Sequence, residues 1–88
     1  MQFQLTNTDG KIEKILKERG VNLLDIKEKL DQGDWLAVYK HPSRDEQIIY
    51  VVEIDHYCWL VPVVKEDLTI KTAFPSRKMT KKYVGNRP

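Results

Sequence analysis

Between Lys11 and Arg19 the apolar residues Ile12, Ile15 and Leu16 recur at i, i+3 and i+4 with charged residues between them. That spacing builds one face of an amphipathic helix. Asn7-Thr8-Asp9-Gly10 supplies turn and cap chemistry before it, and Gly20 supplies its stop. Asn22 caps a second short helix in which Leu23, Ile26 and Leu30 recur at i, i+3 and i+7, closed by Gly33. Ahead of both, Phe3 to Leu5 reads as a short edge strand.

The period then changes. Trp35 to Lys40 is apolar and β-prone, stopped by Pro42, and Ser43-Arg44-Asp45-Glu46 is a polar turn. Ile48 to Asp55 and Tyr57 to Lys65 are apolar at most positions of either parity, as in central strands covered on both faces. The connection around Asp55-His56 is short enough for a tight hairpin. Pro62 has no N–H for a ladder, so a bulge or an unpaired N–H side is expected there. Leu68 to Phe74 alternates, with Ile70, Thr72 and Phe74 on one face and Thr69, Lys71 and Ala73 on the other. Pro75 ends that strand, and Ser76 caps a last helix running to about Val84. Gly85-Asn86-Arg87-Pro88 reads as a flexible tail. The expectation is one α+β domain over residues 1–88. It has two N-terminal helices on one face of a four-stranded antiparallel sheet and a basic C-terminal helix beside it.

Composition supports a folded chain: 41% hydrophobic and 32% charged residues over 88 positions is a globular balance. No apolar run approaches the ~20 residues of a membrane-spanning helix, so no membrane partner is expected. The first residues lack the pattern of a secretory leader. A single cysteine, Cys58, allows no internal disulfide and fits a reducing cytoplasmic setting, where it packs as a small buried hydrophobe. The net charge of +2 hides an asymmetry: residues 1–67 carry nine Lys/Arg against thirteen Asp/Glu, and residues 68–88 carry six Lys/Arg and no acid. A basic end on an acidic body points to a polyanion or an acidic partner, unless it is simply a solvated helix and tail.

The last helix concentrates that charge. At roughly 100° per residue, Arg77, Lys78, Lys81 and Lys82 share one side, with Met79 and Tyr83 opposite as an apolar i,i+4 pair. Two like-charged i,i+4 pairs cost a few tenths of a kcal/mol each, which a bound counter-charge would offset. Lys71 stands just before this helix on a mostly apolar strand. Trp35, Tyr39, Tyr50, Tyr57 and Trp59 all fall on strands. There they serve the core, or stack bases if the sheet face is open. His41, before Pro42 and near Arg44, is a candidate acid/base group, and a surface histidine at a turn is the plain alternative. Two histidines without spaced cysteine or carboxylate partners make no metal site, and no nucleotide-binding or hydrolase motif is present.

The order of two helices, four strands and a basic helix resembles the RelE/ParE-type toxins of bacterial toxin–antitoxin pairs, and BrnT-like toxins more closely. The resemblance rests on Lys17-Glu18-Arg19-Gly20-Val21-Asn22 at the first helix turn. It rests also on Lys71-Thr72-Ala73-Phe74-Pro75-Ser76-Arg77-Lys78-Met79-Thr80-Lys81-Lys82-Tyr83 at the end. The sequence departs from the family pattern in Pro75 before the serine and in Glu18-Arg19 where a histidine is common.

The resemblance implies a cytoplasmic, metal-independent endoribonuclease acting on messenger RNA without a cofactor. A cognate antitoxin would hold it inactive in an oligomeric complex. Lys71 and Arg77 would then hold the scissile phosphate, and Tyr83 would be an acid/base or stacking residue. Lys78, Lys81, Lys82, Arg44 and His41 would bind the flanking RNA. Two alternatives share the fold: a non-catalytic RNA- or protein-binding module, and a ParE-like inhibitor of DNA gyrase.

Overall fold

Both N-terminal helices start and stop on their cap residues. In the computed structural model, which describes residues 2–85, a single 3-10 turn (Thr8–Gly10) leads into α1 (Lys11–Arg19). The Asn7 side chain accepts from the Ile12 N–H at 2.7 Å. Gly20 takes the left-handed conformation (φ 75°) and returns its N–H to the Leu16 carbonyl at 2.9 Å. α2 (Leu23–Asp31) opens with the Asn22 side chain accepting from the Leu24 N–H at 2.9 Å. Leu23, Ile26 and Leu30 of α2 are fully buried. On α1 only Ile15 is buried. Leu16, expected on the same face, is 46% exposed.

Four strands follow in the order β1 (Ala37–Lys40), β2 (Gln47–Ile54), β3 (Tyr57–Val64) and β4 (Phe74–Pro75), each antiparallel to its neighbour. The β2–β3 hairpin is in continuous register from Gln47↔Val64 to Ile54↔Tyr57. Asp55 and His56 between them both have positive φ (52° and 66°). Two left-handed residues give the turn twist that suits a two-residue hairpin.

The fourth strand departs from expectation. Ile70 pairs with Val63 and Phe74 with Leu60, so four steps along the edge face three along β3. One extra residue is accommodated between them as a bulge. Its cause is Pro62. The Pro62 carbonyl accepts from the Lys71 N–H at 2.9 Å, so the ring nitrogen, which points to the same side of the strand, has no proton to offer the edge. The bulge resets the alternation. Ile70 and Ala73 are both buried in the same cluster, Thr72 is half-buried, and Lys71 and Phe74 are exposed. Lys71 therefore stands in the bulge rather than mid-strand. Two cations from α1 bond along this edge. Lys11 Nζ donates to Ile70 O at 2.9 Å, and Arg19 donates to Thr72 Oγ1 at 2.7 Å and Ala73 O at 3.0 Å. The expected N-terminal edge strand is a single parallel bridge, Gln4 to Thr69, with Gln4 bonded to Leu68 and Ile70.

The sheet has two covered regions. On one face α1 and α2 enclose Phe3, Tyr50, Val52, Trp59, Val61, Val63 and Ile70. Phe3, Trp35 and Tyr50 meet edge to face there, with centroids 4.9–6.2 Å apart. On the other face Val51 and Cys58 are buried beneath Met79, Tyr83 and Val84. The last helix thus lies across the second face of the sheet. Beyond Gly85, the tail falls outside the described residues.

Asp31 ties the N-terminus to α2. It accepts the Phe3 N–H at 2.7 Å and the Lys27 ammonium at 2.6 Å. The Lys27 hydrogen bond first, then the Phe3 N–H, hold its carboxyl below the usual value. A depressed folded-state pKa adds stability that is fully present above the ordinary carboxylate value and is lost as pH falls through the depressed one. Asp31→Asn is expected to cost about 1 kcal/mol near neutral pH, allowing for partial solvent screening. It should also flatten the acid limb of stability against pH, as urea unfolding at several pH values would show. An unchanged acid limb would remove Asp31 from this role.

Candidate nucleic-acid interface

The last helix is stitched to β3 before it carries any charge. Ser76 donates its N–H to the Cys58 carbonyl at 2.9 Å, and the Cys58 N–H donates to Thr80 Oγ1 at 2.9 Å. Thr80 in turn donates its hydroxyl to Ser76 O at 2.7 Å. Ser76 Oγ caps the helix by accepting the Met79 N–H at 3.1 Å. The helix is α only over Arg77–Met79 (α3) and continues as a π turn, Thr80–Val84, closed by Gly85 N–H to Thr80 O at 2.8 Å. The wider turn brings Met79 and Val84, five residues apart, against the sheet together with Tyr83. A regular wheel does not capture that geometry.

Tyr83 meets Tyr39, which projects from β1 on the same face. Their hydroxyls hydrogen-bond to each other, and Lys82 Nζ donates to the Tyr39 hydroxyl at 3.2 Å. The Lys82 ammonium also lies 5.7 Å and 5.4 Å from the two ring centres. These contacts split the two phenols. The hydrogen bond with Tyr83, then that from Lys82, lower the Tyr39 pKa, with Lys82 and Lys78 adding positive field. The same bond to Tyr39 raises Tyr83, and the bond to Tyr39 also raises Lys82. The Lys82 ammonium favours loss of the proton from both phenols.

Further along this face a cleft of about 540 Å³ is walled by His41, Arg44, Glu46, Lys71, Thr72 and Phe74, over a floor of Gln47, Pro62 and Val64. His41 Nδ1 accepts the N–H groups of Ser43 and Arg44 at 3.2 and 3.1 Å. The neutral ring therefore carries its proton on Nε2, which acts as a donor. Arg44 pairs with Glu46 at 3.8 Å across exposed side chains. The cleft can hold an anion between Arg44, Lys71 and the imidazole N–H.

The expected site residues thus fall into three groups. His41, Arg44 and Lys71 share the cleft. Tyr83, Lys82 and Lys78 surround Tyr39. Arg77 and Lys81 are exposed on the helix, and Arg77 is not a wall of the cleft that holds Lys71. Tyr39, expected only as a core or base-stacking aromatic, instead contributes its hydroxyl to this cluster. Its parity with His41, two residues on, was the available signal. Of the other strand aromatics, Tyr50 and Trp59 are buried on the helix-covered face, so they do not offer rings for stacking. Among the described residues no group of histidine, cysteine and carboxylate side chains is arranged to hold a metal ion, and no helix is long and apolar enough to cross a membrane. Comparison with family models, curated proteins and solved structures finds no match for this chain.

Proposed function

We propose that the protein binds single-stranded RNA across the second face of its sheet and cleaves it without a metal, as the toxin of a toxin–antitoxin pair. The observation that carries this reading is the Tyr39–Tyr83–Lys82 cluster beside a cationic cleft on the second face of the sheet. Tyr39, as phenolate, takes the proton of a ribose 2′-OH. The 2′-oxygen forms a bond to the adjacent phosphorus, and the bond from phosphorus to the 5′-oxygen breaks. Tyr83 gives its proton to that leaving oxygen. One proton shift along the existing Tyr39–Tyr83 hydrogen bond then restores the pair. The products are a 2′,3′-cyclic phosphate and a 5′-hydroxyl. Lys82, which lies against both phenol rings, stabilises the charge that grows on the phosphorane, and Lys71 and Arg77 hold phosphates to either side of it. Arg44, His41, Lys78 and Lys81 hold the flanking backbone. The basic face is also what an acidic segment of an antitoxin would cover, in a complex weakened by salt.

Purified protein is to be incubated with end-labelled RNA in excess chelator, and the products tested for a cyclic phosphate end. Cleavage that persists under chelation and yields that end supports the reading. RNA bound but left intact would replace it with the non-catalytic module of the same fold. Absence of RNA binding, with arrest of DNA supercoiling by gyrase, would replace it with the inhibitor.

A further inference from the structure

A second cleft, of about 350 Å³, lies on the other side of the bulged edge, between that edge and α1. Its cations are Lys11, Lys14, Arg19 and Lys71, against two acids, Asp9 and Glu18. Lys71 is a wall of both clefts, so the bulge that displaced it from the strand also made it the junction between them. Lys11 is held close to Lys71. Burial first, and Lys71 second, lower the Lys11 pKa, as expected of two ammonium groups sharing a half-covered site. Lys11 and Arg19 are anchored on backbone carbonyls of the edge, so their positions are set by the fold. Arg19 also stacks over the Phe74 ring at 4.7 Å, which places a cation and an aromatic face together at the rim. Lys14 is exposed and has an ammonium free to reach into the cleft mouth.

We infer that this cleft is a phosphate subsite that takes the RNA strand from the sheet face round the bulged edge onto α1, with Lys71 as the shared contact. The inference rests on the RNA reading above and adds the path of the flanking strand. It predicts a dependence on RNA length. A strand of about four nucleotides fills the face alone, and one of about twelve also reaches α1.

The test compares binding of fluorescent oligouridylates of these two lengths by parent protein, Lys14→Glu, Lys17→Glu and Glu18→Gln. Thermal unfolding serves as the folding control. Lys17→Glu makes the same change in net charge on the same helix, but Lys17 is not a wall of the cleft. Lys14→Glu should weaken the longer strand about fivefold to tenfold and lower its salt slope by about one. The shorter strand should bind as before. Glu18→Gln should tighten the longer strand, and Lys17→Glu should change both lengths little. Equal effects of Lys14→Glu and Lys17→Glu, or equal effects on both lengths, would overturn the subsite and leave the RNA reading standing. Failure of the parent to bind either length would overturn both.

Discussion

Tyr39→Phe should slow RNA cleavage about a hundredfold while RNA affinity stays within about twofold. The substitution keeps the ring beneath Lys82 and removes only the hydroxyl that Tyr83 and Lys82 contact. Loss of a positioned general base typically costs at least this much in rate. The pH dependence gives the sharper test. Because Tyr39 is lowered from its ordinary value, the fraction of phenolate, and with it the parent's rate, rises as pH climbs toward the lowered pKa. Tyr39→Phe should flatten that rise. Tyr83→Phe removes the largest cause of the lowering, so the titration of Tyr39 should move upward, visible in the ultraviolet absorbance of tyrosinate. Single-turnover cleavage across a pH series measures the first effect. A fall in affinity as large as the fall in rate would make Tyr39 a binding residue instead.

Phe3→Ala should cost roughly 3–4 kcal/mol, as for other buried aromatic residues cut back to alanine. Phe3 is fully buried and sits edge to face with both Trp35 and Tyr50. Small domains hold about 5–15 kcal/mol in all, so this one side chain is a large share. The midpoint of thermal unfolding should fall by roughly 15 °C or more. Phe3→Leu, which refills much of the volume, should cost far less. Urea unfolding followed by tryptophan fluorescence checks both. A shift for Phe3→Ala no larger than that for Phe3→Leu would show that the first residues do not complete the core.

Much of this arrangement was legible because its causes are local. Asn22 and Gly20 act within one turn of their own helix, so both helices lie where the caps put them. Asp55-His56 sets the hairpin by the length of the connection alone. Ser76 caps the last helix as its place before Arg77 implies. What escaped depends on partners distant in the chain. Pro62 announced a disturbance, but the extra residue went into the strand opposite it, beside Lys71. That moved Ala73 and Phe74 off the faces that simple alternation assigns them. The π turn changed which side chains share a face, and no residue of Thr80–Val84 signals it alone. Tyr39 and Tyr83 stand 44 positions apart. Only the packing of the last helix across β1 and β3 makes them a pair.

Protein synthesis reads this chain from the end that needs its partners last. Gln4 emerges from the ribosome well before Leu68 and Ile70, the backbone groups it bonds to. Lys11 and Arg19 emerge early too, with their acceptors at Ile70, Thr72 and Ala73 still to come. Phe3 waits for Trp35 and Tyr50. The helices and the β2–β3 hairpin are local, but these contacts wait for residues made later, and long-range closure of this kind comes late in folding. The second face receives Tyr83 and Lys82 only with the turn Thr80–Val84. A face assembled in that order is complete only once Tyr83 has been added, 44 positions after the Tyr39 it bonds to.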